Sequence, residues 1–153
     1  MNLVSSLLPV NHVVLDMDVS SKKRLFEQIG LLFENSRQIP RLRVFDSLFE
    51  REKLGSTGLG QGIAIPHGRI RGLDTAEGAF VRLATPIDFD APDGKPVSLV
   101  FVLLVPEQAT EQHLELLSEL AQMLSDRGFR DRLANAADSA AVLATFEGWR
   151  PSR

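Results

Sequence analysis

Few side chains in this sequence can do covalent chemistry near neutral pH. There is no cysteine, and there are three histidines: His12, His67 and His113. His67 lies in "GIAIPHGRI", directly after Pro66 and before Gly68. Proline fixes its own φ and biases Ile65 toward extended geometry. His67 is therefore expected at a strand end, on a constrained backbone, where sites collect in layered α/β domains. A neutral imidazole is a nucleophile near pH 7, because its unperturbed pKa is about 6.5. A core or turn histidine is the plainer alternative, and the residue alone leaves both open.

His113 follows Thr110 by three residues, in the first turn of the segment "TEQHLELLSELAQMLSD". A helix N-terminus offers free N–H groups and favours an anion. A histidine there could donate to a phosphate oxygen, or simply face solvent. His12 opens the first strand with no polar cluster beside it and reads as an incidental surface or edge histidine. The glycine-rich "GSTGLGQG", Gly55–Gly62, could wrap an anion with backbone N–H groups. It is not a Walker A loop, because no Gly-Lys-Ser or Gly-Lys-Thr follows. Its glycines do not match the dinucleotide fingerprint either. The sequence holds no H-E-x-x-H, no histidine pair at helical spacing and no G-x-S-x-G elbow. Glu50 and Glu52 read as a solvated helix end rather than a catalytic acid pair, and Lys22-Lys23-Arg24 as a solvated helix start.

The elements that must position these residues follow from periodicity. "HVVLDMDV", His12–Val19, alternates like a half-buried strand, with Val13, Leu15, Met17 and Val19 on one face. A helix follows Ser20 or Ser21, with Leu25, Ile29, Leu32 and Phe33 at helical spacing. A second helix after Pro40 carries a stripe of Leu42, Phe45, Leu48 and Phe49 and stops near Leu54, with Gly55 beyond it. Ser56–Gly62 is expected to be a loop and "IAIP" a short buried strand. "AFVRLATPIDF" is extended with a break at Pro86, and "DAPDGKP" is a turn. "VSLVFVLLV", Val97–Val105, is nearly all apolar and suits a central strand covered on both faces. The helix Thr110–Asp126 has Thr110 as N-cap and Leu114, Leu117, Ala121 and Leu124 as its apolar stripe. "FRDRLANA" and a segment capped by Asp138 make two more helices. The expected fold is α/β: a single-domain layered sandwich, with a mixed, mainly parallel sheet and helices on both faces.

The chain has 153 residues, 44% of them apolar, which suits one folded domain over residues 1–153. Its formal charge of −3 comes from 17 basic and 20 acidic residues. That balance gives no basic face for nucleic acid. No window is long and apolar enough to span a membrane, and the N-terminus does not read as a signal peptide. A cytoplasmic protein is the expectation.

"REKLGSTGLGQGIAIPHGRI", Arg51–Ile70, resembles the active-site signature of enzyme IIA domains of the fructose–mannitol class in the bacterial phosphotransferase system. "TPIDFDAPDGKPVSLVFVLLVP", Thr85–Pro106, is similar to the nitrogen-regulatory branch of that class. The resemblance covers roughly Ser5 to Phe146. It implies a single domain with a mixed, mainly parallel sheet between helices. It implies that His67 accepts a phosphoryl group on Nε2, with Arg51 and His113 helping to hold it. Ser56, Thr57, Gly58, Gly60 and Gly62 would then form a loop close to the phosphate. No metal or cofactor is implied. The implied donor is an HPr-like phosphocarrier protein, and the implied targets are proteins such as sensor kinases or potassium transport systems. A monomer or weak homodimer is expected. Because the chain ends soon after its last helix, a stand-alone regulatory protein is favoured over a sugar-type component that passes phosphate to a IIB domain.

Overall fold

The structure is a computed structural model and describes residues 4–108 and 111–150. Thr110, the expected N-cap, lies outside them. The elements in chain order are β1 (Val13–Met17), α1 (Lys22–Arg37), α2 (Arg41–Leu54), β2 (Gly58–Gly60), β3 (Ile63–Ala64), β4 (His67–Ile70), β5 (Glu77–Ile87), β6 (Val97–Pro106), α3 (Glu111–Ser125), α4 (Arg127–Asn135) and α5 (Ser139–Gly148). The strands form one six-stranded sheet in the order β1-β5-β6-β3-β2, with β4 also on β6. β1 on β5, β3 on β6 and β4 on β6 are parallel, whereas β2 on β3 and β5 on β6 are antiparallel.

β6 organises both layers. Its apolar run alternates, so Leu99, Phe101, Leu103 and Val105 join the core under α3–α5. Val100, Val102 and Leu104 join the core under α1 and α2. Period-2 geometry sends successive side chains to opposite faces, and a run with no polar break fills both. Three helices begin where a side chain accepts from the first turn: Ser21 from Arg24 N, Asp126 from Phe129 N and Asp138 from Ala141 N.

Several expectations are corrected by packing. His12 is fully buried rather than incidental: Nδ1 lies 2.8 Å from Gly78 O, Nε2 2.7 Å from Ser36 Oγ, and the ring packs edge-on to Phe33. The β1 alternation breaks at Asp16, which takes φ 58 and shifts the register between Val14 and Met17. Leu42 is 70% exposed, because α2 buries Val44, Leu48 and Glu52 instead. In α3 the buried side is Leu116, Leu120, Met123 and Leu124, which turns Leu114 outward at 66% exposure. Glu52 is not a solvated end: it is buried, and it pairs with Lys22 at 2.9 Å. Lys22 is correspondingly set apart from its exposed neighbours Lys23 and Arg24.

Candidate functional site

Ile63–Ile70 runs as one parallel line along β6, with Pro66 inside it. The register is unchanged across the proline: Ile63 lies opposite Leu99 and His67 opposite Leu103. Pro66 cannot donate to the ladder, but its carbonyl accepts from Leu103 N at 3.0 Å. His67 and Arg69 therefore sit on the face of Leu103 and Val105, toward α3. Gly68 sits on the opposite face, against Ser47 of α2, where no side chain would fit.

A cleft of about 490 Å³ opens on this edge. Ser47, Glu50, Arg51 and Leu54 from the end of α2 line one side. His113, Leu114 and Leu117 from the start of α3 line the other. His67, Gly68 and Arg69 lie between them, over Leu103 and Val105. The expected trio of His67, Arg51 and His113 is thus brought to one cleft.

His67 is half-buried, and its Nδ1 lies 2.8 Å from Ile65 O. A carbonyl can only accept, so Nδ1 carries the proton. Nε2, which has no partner among the described residues, then carries the lone pair. Burial pushes the pKa of His67 below 6.5; the Ile65 bond opposes this, the Arg51 charge adds to it, and the Glu52 charge opposes it. The ring is neutral at pH 7, the form that can attack phosphorus. The Arg51 guanidinium donates to Gly55 O at 2.9 Å and makes no ion pair among the described residues, leaving donors for an anion.

The glycine loop departs from its expected part. Gly58–Gly60 is a strand, and Gln61 and Gly62, at φ 59 and 79, turn it back into β3 as in a primed hairpin. Three of its N–H groups are already engaged: Thr57 N by Glu52 Oε2, Gly58 N by Ser56 Oγ and Gln61 N by Asp93 Oδ2. Ser56 Oγ donates to Phe89 O. None of Ser56, Thr57, Gly58, Gly60 or Gly62 lines the cleft. Two of these three donors are held by carboxylates, and the loop lies outside the lining of the cleft.

An apolar rim around His67 could be sought in Leu59, Ile63 and Ile70, the apolar residues that flank it in sequence, but they do not form one. Ile63 and Ile70 are buried core, and Leu59 is exposed away from the cleft. The exposed leucines on the cleft are Leu54 and Leu114, at 85% and 66%. Arg69 was missed as well, although its place two residues after His67 on a strand puts both on one face. Its guanidinium makes no ion pair among the described residues.

A half-buried imidazole that shares a cleft with Arg51, on a helix-covered mixed sheet, agrees with the comparisons. The chain belongs to the family described as "Phosphoenolpyruvate-dependent sugar phosphotransferase system, EIIA 2", which matches residues 6–148. Within it, the likeness runs to nitrogen-regulatory members. The chain is 46% identical over 142 residues to a nitrogen regulatory protein of Pseudomonas aeruginosa, covering 91% of each. The crystal structure of nitrogen regulatory protein IIA-Ntr from Neisseria meningitidis superposes with a TM-score of 0.90 at 56% identity, covering 94% of this chain and 99% of that one. A fructose-specific EIIA component of Haloferax volcanii is 35% identical over 140 residues, covering 91% of each. Among the described residues, no helix is long and apolar enough to cross a membrane.

Proposed function

We propose that this chain is a phosphocarrier of a nitrogen-type phosphotransferase relay, acting in the cytoplasm, with His67 as phosphoryl acceptor. Nε2 of neutral His67 attacks the phosphorus of a phosphohistidine on a small HPr-like protein. An N–P bond forms at His67 as the donor's N–P bond breaks. The His67 ring keeps its Nδ1 proton on Ile65 O and gains positive charge, while the donor ring leaves neutral. Charge in the transition state spreads over three oxygens, which Arg51 can meet with a planar fork and His113 with a hydrogen bond. The phosphorylated and free forms then differ in charge at an exposed cleft. Such a difference can gate binding to regulatory targets such as sensor kinases or potassium transport proteins.

The observation that carries this reading is the 2.8 Å Nδ1–Ile65 O bond, which leaves Nε2 to a cleft holding Arg51 and His113. The test is incubation with phosphoenolpyruvate and purified upstream carriers, followed by intact mass. The wild type should gain one phosphoryl mass and His67→Ala none, with its fold intact. Persisting phosphorylation in His67→Ala overturns the assignment. The likeness to the fructose-specific component supports a second reading, transfer onward to a IIB domain. Rapid transfer from the phosphorylated chain to a purified IIB domain would favour it.

A further inference from the structure

We propose that Glu52, with Thr57 and Lys22, is the positioning device for the His67 imidazole; this rests on the reading of His67 as phosphoryl acceptor. Ile65, whose carbonyl holds Nδ1 of His67, is itself held: its N–H donates to Thr57 O at 3.1 Å. Thr57 is gripped twice by one buried carboxylate, through N to Glu52 Oε2 at 3.0 Å and through Oγ1 to Oε1 at 2.6 Å. Lys22 Nζ completes the set at 2.9 Å from Glu52 Oε2. An unbroken run of hydrogen bonds therefore joins the start of α1, the end of α2, the β2 hairpin and the acceptor ring.

None of these groups reaches the cleft. Their effect on His67 passes through the orientation of one peptide, Thr57–Gly58, against Ile65. The arrangement has a chemical purpose. Two ring nitrogens compete for one proton, and the acceptor nitrogen must be the bare one. Ile65 O selects the tautomer only while it stays aimed at Nδ1. Pro66 stiffens one side of Ile65, and the Thr57 contact stiffens the other. A buried, ion-paired carboxylate is costly to keep without a task, and capping a three-residue strand could be done by an exposed serine or aspartate. The Glu52 charge also draws the pKa of His67 upward, against burial and Arg51. Glu52 thus bears on the ring in two separable ways, through the chain of bonds and through its charge.

The two are separated by substitution. Thr57→Val removes the Oγ1 donor and keeps the Glu52 charge; Thr57→Ser restores the donor. Glu52→Gln removes the charge and keeps an acceptor. Imidazole ¹⁵N spectra across pH report the tautomer and pKa of His67 directly, with His12 and His113 as internal controls. Phosphoryl uptake is timed by intact mass on the same samples. Thr57→Val should lower the Nδ1–H population of His67 and slow uptake about tenfold, and Thr57→Ser should recover both. Glu52→Gln should lower the His67 pKa as well. If variants that remain folded show wild-type His67 spectra, or if loss of uptake merely follows loss of stability, the positioning role is wrong. If the wild type takes up no phosphoryl group, the proposed function falls, and the imidazole spectra alone decide the positioning.

Discussion

His67 holds its own tautomer through Ile65, two residues back across Pro66: Nδ1 and the Ile65 carbonyl oxygen are 2.8 Å apart. The bond is closed within one tripeptide, and the contact of Ile65 N with Thr57 O holds that tripeptide from the β2 side. What surrounds Nε2 comes from elsewhere in the chain, from α2 and α3.

Arg51 is the first of these. Its guanidinium has one bond to Gly55 O at 2.9 Å and is only partly buried. Arg51→Ala should therefore change stability little, while slowing phosphoryl uptake about ten- to a hundredfold. Arg51→Lys should also be slow, because an ammonium cannot offer the planar fork. Timed intact-mass assays beside urea melts separate the two effects; wild-type rates in both variants would remove Arg51 from the site.

The pH dependence follows from the sign of the His67 shift. Its pKa in the folded chain lies below 6.5, chiefly through burial. The ring stays neutral as pH falls through 6.5, so the uptake rate should be flat there and drop only at lower pH. His12 is shifted the same way, again chiefly by burial. The unfolded chain takes up that proton near 6.5 while the folded chain does not, so the stability from a neutral His12 is complete above 6.5 and declines as pH falls toward the lowered value. Urea midpoints measured from pH 8 to pH 5 should show this decline. A rate that already halves at 6.5 would contradict the His67 shift.

Gly68 tests the backbone behind the acceptor. A Cβ there would lie 2.2 Å from Ser47 Oγ and 3.1 Å from the Ser47 carbonyl carbon. Gly68→Ala should cost about 1–3 kcal/mol of stability by overpacking. Ser47 also donates to Arg69 O at 2.8 Å, so the clash must break that bond or push α2 away. Adding Ser47→Ala should recover part of the loss, because the 2.2 Å clash with Oγ is removed while the contacts with the residue-47 carbonyl carbon and Cβ, at 3.1 and 3.2 Å, remain. Chemical denaturation of the single and double variants reads this, and an undisturbed Gly68→Ala would contradict the packing.

These contacts mark how far the sequence could be read. Elements and layers were legible because β6 and two helix starts carry strong local signals: a long apolar run in one case, Ser20 or Ser21 and Asp138 in the other; the Asp126 cap was not read, because Asp126 also closes the preceding helical segment. That Arg51, His67 and His113 would line one cleft was legible through the resemblance, with the proline singling out His67. The errors have a common cause, namely partners distant in the chain. His12 is buried by bonds to Gly78 and Ser36, 66 and 24 residues away. Glu52 depends on Lys22, 30 residues away. In α3 two leucine stripes overlap, one through Leu114 and Leu117 and one through Leu116 and Leu120. Periodicity alone could not choose which of them meets the sheet. Arg69 was within reach, since strand alternation places it beside His67.

His113 lines the cleft with His67 and is partly buried. As a donor to a phosphoryl oxygen it should matter for rate rather than for the site of the bond. His113→Ala should slow transfer about ten- to a hundredfold and still yield a phosphoryl group on His67. His113→Gln, which keeps a donor, should lose less. Peptide mapping of the phosphorylated variants checks the location, and phosphorylation of His113 itself in the wild type would reverse the roles.

Leu54 and Leu114 face solvent on opposite walls of the cleft, one closing α2 and the other in the first turn of α3. Exposed leucines cost solubility and are normally unremarkable one at a time. Two of them flanking a reactive imidazole form a small apolar collar that a protein donor can cover, excluding water from the transfer. Docking and chemistry can then be separated. Leu54→Glu and Leu114→Glu should each raise the donor concentration needed for half-maximal uptake about tenfold or more, since each buries a charge at the contact. Neither should alter uptake from a small N-phosphoryl donor such as phosphoramidate, which needs no collar. Equal loss with both donors would mean that the substitutions disturb His67 itself, and the collar would not be a docking surface.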